Sequence, residues 1–281
     1  MREIPSRVLV EAMVRADGTV DCGDLYAVAG LLGMTDQQVR LSIKRLVTDG
    51  RFVQEGRGRK ALLRATAETR RRIEPDVEFV RLMYRQDRGD APWDGTWHLA
   101  GFAIPEPARA ARDALRETIV YLGGAPVQGG LYVSPNAWED LVEAEAARLG
   151  VQDHTTLLTS RDLRVGPERD ARALARALWP LDEIAERHTR LAGVAAEHLS
   201  RLRAGPPERE RLTITIELAA EFTQAMEPDP LLPPELLPHP WPGVEARNLV
   251  ARCWAQLLDN PPQNALRLYE TYTEVARSLT T

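Results

Sequence analysis

The sequence predicts a multidomain α+β protein with an N-terminal winged helix-turn-helix, a central ferredoxin-like α+β domain and a C-terminal all-α domain. Three observations predict it. Residues 33–64 read as a capped helix followed by a basic hairpin, residues 97–165 alternate strand and helix patterns, and from Glu168 onward the periodicity is helical almost throughout. A chain of 281 residues, 44% hydrophobic, can bury a full core and divide into two or three domains. The expected boundaries are 1–72, 73–166 and 167–281, with a Pro-rich strap at 227–243.

Two helices are expected first, over 6–16 (apolar Val8, Leu9, Ala12, Met13) and 21–32 (Leu25, Val28, Ala29, Leu32). In the third, Thr35 caps the start and Gln38 completes a capping box, each side chain satisfying a backbone N–H of the other. Val39, Ile43, Leu46 and Val47 recur at i, i+4, i+7 and i+8, which marks one buried helical face. The other face presents Gln37, Gln38, Arg40, Lys44 and Arg45, long donors suited to base edges and phosphates. Gly50 ends the helix, and extended runs at 52–54 and 61–64 then flank a Gly-rich turn holding Arg57, Arg59 and Lys60.

A capped helix with a polar outer face is common in any globular protein. A hairpin tip with three cations and no acid has little structural purpose, and the two together point to double-stranded DNA. The first residues of a recognition helix sit deepest in the major groove, which makes Gln37, Gln38 and Arg40 the candidates for base contact. Lys44 and Arg45 are placed for phosphates, Arg57 and Arg59 for the neighbouring minor groove or its backbone, and Lys60 completes the set.

The net charge of −5 is unevenly divided. Residues 1–72 hold 14 Lys and Arg against 9 Asp and Glu, and residues 73–281 hold 22 against 32. A basic terminal module on an acidic body suits a regulator whose body does not touch DNA. Cys22 and Cys253 are too few and too far apart to frame a metal site or a disulfide scaffold, so a reducing compartment is expected. The sequence shows no signal-peptide pattern and no apolar run near the roughly 20 residues of a membrane span, so a soluble, cytoplasmic chain without a membrane partner is expected.

Residues 65–75 form a short basic connector ending at Pro75, in which Arg70, Arg71 and Arg72 either support phosphate contacts or form a solvated hinge. The turn Trp93-Asp94-Gly95 leads into a strand at 97–104, followed by a helix at 107–122, a strand at 127–133, a helix at 135–149 and strand material at 155–165. That order suggests a ferredoxin-like sandwich. Trp93, Trp97, His98 and Tyr132 are candidates to border an apolar effector pocket, and Arg109, Arg112 and Arg116 to hold the phosphates of a coenzyme A moiety. The alternatives are a core role for Trp97, and arginines that are solvated or paired with Asp113 and Glu117.

Helices are expected over 168–179, 182–202, 209–226, 244–259 and 261–279. The segment 227–243 has seven prolines in seventeen residues, yet it also contains Leu231, Leu232, Leu236, Leu237 and Trp241, so it reads as an extended strap packed on the helices. Five scattered histidines offer no metal-ligand spacing, and His188 and His198, ten residues apart, are expected on the solvated surface. No nucleophile elbow or Walker loop is present, so neither an enzyme nor a cofactor is expected.

Several segments together resemble the PaaX family, the repressors of phenylacetic-acid catabolism. They are VRLSIKRLVTDGRF, WDGTWHLAGF, GGLYVSP at 129–135, and DPLLPPELLPHPWPG at 229–243 followed by Glu245-Ala246-Arg247. The resemblance covers nearly the full chain, and the combination of GLYVSP with LPPELLP-x-x-WPG is its most specific part. It implies a winged helix, a Cas2-like ferredoxin domain and a helical C-terminal domain. It also implies a homodimer on a palindromic operator, released by a small molecule such as phenylacetyl-CoA or another aromatic acyl-CoA. A Cas2-like fold raises a nuclease at Asp94, but Asp94 precedes the expected strand and suits a turn better. The reading from a different class is a small-molecule-binding or protein-docking module whose winged helix does not bind DNA specifically.

Overall fold

The structure, a computed structural model, describes residues 5–73, 77–259 and Leu266, without the side chains of 71–73, 77, 78 and 209. Its elements are α1 (Ser6–Ala12), β1 (Thr19–Asp21), α2 (Cys22–Leu31), α3 (Asp36–Thr48), β2 (Phe52–Glu55), β3 (Leu62–Ala65), α4 (Ala67–Ile73) and α5 (Val77–Arg88). There follow β4 (Trp97–Phe102), α6 (Arg109–Tyr121), β5 (Ala125–Gln128), β6 (Leu131–Ser134), α7 (Glu139–Arg148) and β7 (Thr155–Ser160). The remaining helices are α8 (Ala171–Leu178), α9 (Leu181–Arg203), α10 (Glu208–Met226) and α11 (Pro242–Leu258). By contacts the chain forms two compact units, one of residues 1–81, 189–224 and 244–281, the other of 82–188 and 225–243. These units cut across the linear segments expected from the sequence, because most of the C-terminal helices join the first unit and the strap joins the second.

In the first unit a three-stranded antiparallel sheet of order β1-β3-β2 backs helices α1 to α3. Leu9, Leu25, Val39, Ile43, Phe52 and Leu63 share one buried core, which Ile216 and Ala220 of α10 also enter. The capping box forms as expected: Thr35 N–H donates to Gln38 Oε1 (2.8 Å) and Gln38 N–H to Thr35 Oγ1 (3.3 Å). Strand β1 was not expected. Asp17 Oδ1 accepts from both the amide and the hydroxyl of Thr19, which holds the Asp17 carboxyl below its usual range and fixes the turn into the strand. Arg15 N–H donates to Thr19 O in the same turn, so α1 stops at Ala12 and does not run to 16. Asp21 then closes β1 and caps α2 by accepting from Asp24 N–H.

The connector expected at 65–75 is helical over Ala67–Ile73, anchored where Thr66 and Thr69 hydroxyls donate to Arg51 O. Pro75 and the side chains of Arg71 and Arg72 lie outside the described residues. His198 is buried, with Nε2 3.2 Å from Glu217 Oε2, which corrects the surface expectation. The reason is positional: Leu191, Val194, Ala195, His198 and Leu202 form a single stripe of α9. The helix expected over 261–279 falls outside the described residues except for Leu266, which is buried and pairs with Arg15 in an isolated antiparallel bridge.

The second unit is built on a four-stranded antiparallel sheet of order β5-β6-β4-β7. The succession β-α-β-β-α-β is that of a ferredoxin-like domain. The single strand expected at 127–133 is a hairpin, β5 and β6, turning at Gly129-Gly130. Gly129 adopts φ +56°, and a Cβ on Gly130 would collide with the Phe102 carbonyl oxygen, so the turn needs both glycines. Helices α6 and α7 cover one sheet face through Leu115, Ile119, Trp138 and Val142. On the other face Trp97, 2% exposed, stacks on Trp179 (6.4 Å, 12°) with Trp93 edge-on at 5.1 Å.

The five apolar residues of the strap are buried, as expected, but side chains of the central unit hold its backbone. Gln86 and Asn136 both donate to Leu231 O (3.0 and 2.9 Å), and Arg172 donates to Glu235 O (2.8 Å). Leu231 has φ +50°, a left-handed conformation that costs a branched residue about 1–3 kcal/mol and persists where neighbours over-determine it. Asp229 completes the restraint, accepting from Leu231 N–H and lying 2.7 Å from His188 Nε2. His188 is fully buried, a second correction of the surface expectation, on the stripe it forms with Leu181, Ile184 and Leu191.

Candidate functional site

Because Val39, Ile43 and Leu46 anchor the inner side of α3, its outer side is fixed and exposes Gln37, Arg40, Leu41, Lys44 and Arg45. Gln38 is also exposed, with its side-chain oxygen committed to Thr35. Gly56 (φ +84°) and Gly58 (φ +64°) allow the tight turn between β2 and β3 that lifts Arg57, Arg59 and Lys60 into solvent. Arg59 forks onto Asp36 at the start of α3 (3.2 and 3.0 Å), and its guanidinium lies 5.1 Å from the centre of the Tyr26 ring. So exposed a pair contributes about 0–1 kcal/mol, but it tethers the hairpin tip beside the first turn of α3. Arg45 is 3.8 Å from Asp49. Among the described residues no carboxylate lies within ion-pair distance of Arg40, Lys44, Arg57 or Lys60. These four cations, like Gln37, are exposed.

The seven residues nominated for an effector do not form one site. A cleft of about 280 Å³ at the C-terminal end of β4 brings together Arg112, Arg116 and Tyr132 with Phe102, Ala103, Ile104, Asp113, Gly129 and Gly130. Trp97 and His98 begin the same strand, roughly 13–16 Å from Phe102 at about 3.3 Å per residue. Trp97 is core, and Trp93 donates its indole N–H to Thr96 O. His98 Nδ1 lies 2.6 Å from Glu139 Oε1. Burial raises the pKa of Glu139, but the His98 contact and backbone N–H donors outweigh it and hold the carboxyl below its usual range.

The α6 arginines are paired. Arg112 donates to Glu106 at 2.9 Å, Arg116 lies 3.7 Å from Asp113, and Arg109 lies 3.6 Å from Asp113, outside the cleft lining. Phe102, which sequence reasoning missed, stacks on Tyr132 (5.6 Å, 13°) and gives the cleft a flat apolar wall. Its signal was present: Phe102 shares a face of β4 with Ala100, which pairs with Tyr132. Two guanidiniums above an aromatic wall suit a ligand with an anionic end and an apolar end.

Asp94 accepts from Thr96 N–H at 2.8 Å, which lowers its pKa and closes the turn into β4. Among the described residues no group of three or more His, Cys, Asp and Glu is placed to hold a metal ion, and no helix is long and apolar enough to cross a membrane.

Comparison with known proteins adds two family matches. The model for the PaaX protein central Cas2-like domain matches residues 90–174, and that for the PaaX-like protein C-terminal domain matches residues 179–265. No curated protein matches the chain. Among solved structures, the uncharacterized protein Rv0674 from Mycobacterium tuberculosis is similar at 22% identity and a TM-score of 0.46, over 97% of this chain and 94% of that one.

Proposed function

The chain belongs to the PaaX family, whose members are regulators that bind DNA, and on that premise we propose that it is a dimeric transcriptional repressor of an aromatic-compound catabolic operon, of phenylacetate type. The order α1-β1-α2-α3-β2-β3 supports reading the first 72 residues as a winged helix-turn-helix, with α3 in the major groove and the hairpin as the wing. One observation carries the DNA reading: Arg40, Lys44, Arg57 and Lys60 are exposed without carboxylate partners among the described residues, in a chain whose net charge is −5. Gln37 and Arg40 read base edges, while Lys44, Arg57 and Lys60 hold phosphates. Gln38 and Arg59, engaged with Thr35 and Asp36, set the geometry of the surface.

The effector is an aromatic acyl-CoA or a related anion. Its anionic end meets Arg112 and Arg116, displacing exposed carboxylates worth about 0–1 kcal/mol each, and its apolar end meets Phe102 and Tyr132. Leu41 and Val53, 59% and 55% exposed, favour a second reading in which the same surface docks a protein. Binding to a duplex from the promoter beside the chain's own gene, with and without phenylacetyl-CoA at two salt concentrations, tests both. Tight specific binding released by the thioester is the expected result, and absence of specific binding at either salt favours docking.

A further inference from the structure

The side of α3 that faces away from the core is centred on an apolar residue. Val39, Ile43 and Leu46 point inward, and at about 100° per residue Leu41 lies roughly 170° around the helix from their mean direction. Arg40, one residue earlier, is turned about 100° from Leu41 toward the flank. Leu41 is 59% exposed. Its neighbours at i±3 and i±4 are Gln37, Gln38, Lys44 and Arg45, all of them exposed and all carrying N–H donors. A leucine exposed at random needs no explanation. This one occupies the middle of the outer face, ringed by donors. A protein-docking face would set further apolar side chains around it, and none of the four neighbours is apolar. Residues 37–48 carry three cations and no acid, which favours a polyanion as the partner.

We propose that Leu41 determines base specificity by covering the C5-methyl group of a thymine in the major groove. The inference rests on the reading of α3 as a recognition helix and deepens it. Base edges in the major groove present donors, acceptors and one apolar group, the thymine methyl. Hydrogen bonds from Gln37 or Arg40 read donors and acceptors and are blind to that methyl, whereas a leucine gains from burying it. Over cytosine the same leucine meets an N4 amino donor, finds no methyl and strips the donor of water, so a C·G pair is rejected on two counts. Gln37 lies one turn before Leu41, about 6 Å along the helix axis, which sets the thymine within about two base pairs of the one that Gln37 reads.

The test is a cycle between protein and DNA. The duplex from the promoter beside the chain's own gene is prepared once with thymine and once with deoxyuridine at every thymine position. Uracil lacks only the methyl and pairs with adenine in the same way. The wild-type chain is expected to bind the uracil duplex roughly fourfold more weakly for each methyl that Leu41 covers, the effect of one buried carbon group. Leu41→Ala is expected to bind the thymine duplex more weakly and to lose most of the preference for thymine over uracil. Alanine is the best helix former and Leu41 is exposed, so the fold is retained, which an unchanged thermal midpoint checks. Leu141→Ala on α7, 53% exposed, is expected to keep the wild-type preference. Single uracil substitutions then locate the base pair. Equal binding of the wild-type chain to both duplexes would overturn the assignment, as would a Leu41→Ala chain that keeps the full thymine preference. Either result leaves the DNA reading standing and returns Leu41 to protein docking. Absence of specific binding to both duplexes overturns the DNA reading and this assignment together.

Discussion

Helices α3 and α6 both present cations at helical spacing on an exposed face, yet their environments differ. On α6, Arg109, Arg112 and Arg116 lie within 4 Å of Glu106 or Asp113, because Asp113 sits four residues after one arginine and three before another. On α3 the nearest acids in sequence, Asp36 and Asp49, stand at its two ends and engage Arg59 and Arg45, so Arg40 and Lys44 remain unanswered between them. A row of arginines therefore says little until the carboxylates at i±3 and i±4 are counted. The α3 row has no carboxylate of its own to displace, whereas the α6 row is open to an external anion only if a ligand displaces Glu106 and Asp113.

That contrast can be broken by mutation. Arg40→Ala is expected to weaken operator binding by about 1–3 kcal/mol, roughly 5- to 150-fold, and to relax base preference at one position. Equal weakening on operator and random duplex in titrations would make Arg40 a phosphate contact instead. Thr35→Ala removes the capping box and is expected to cost about 1 kcal/mol in denaturant unfolding, because the α3 amides lose their acceptor. Asp36→Ala should have the opposite sign: releasing Arg59 strengthens non-specific binding by up to about 1 kcal/mol. Arg116→Ala should leave operator affinity unchanged while weakening release by the acyl-CoA, measured as a right-shifted effector titration. A change in operator affinity would place α6 in the DNA interface.

Much of the fold was legible where periodicity ran long. The apolar stripe of α3 and its Thr35–Gln38 box specified both the helix and its start, and the buried leucines of 227–243 could be inferred from composition alone. Short and local features were not legible. Strand β1 has three residues, too few for an alternation, and exists because Asp17 fixes a turn that pairs it with β3. Helix α5 is not among the expected elements, although Val80, Met83 and Tyr84 recur at helical spacing. The hairpin at 127–133 is hidden in the sequence because what requires a glycine at 130 is the Phe102 carbonyl oxygen, which only the fold brings there.

The buried histidines are hidden for a related reason: residue polarity predicts a surface, whereas His188 and His198 lie on the apolar stripe of α9. The two motifs that best identify the family prove to be one structure, since Asn136, just after GLYVSP, donates to the backbone of Leu231 within DPLLPPELLP. For the candidate site, the sequence specified which cations face outward on α3 and the hairpin. It could not specify that Arg59 and Gln38 are already engaged, because those partnerships depend on where the hairpin tip comes to rest.

The most direct test of the central claim is the salt dependence of binding to the promoter duplex. The slope of log affinity against log salt should fall in magnitude by about 0.9 for each of Lys44→Ala, Arg57→Ala and Lys60→Ala, and should not change for Arg109→Ala, Arg112→Ala or Arg116→Ala. An unchanged slope in the first set, or an equal loss in the second, would contradict the assignment of α3 and the hairpin as the DNA-binding surface.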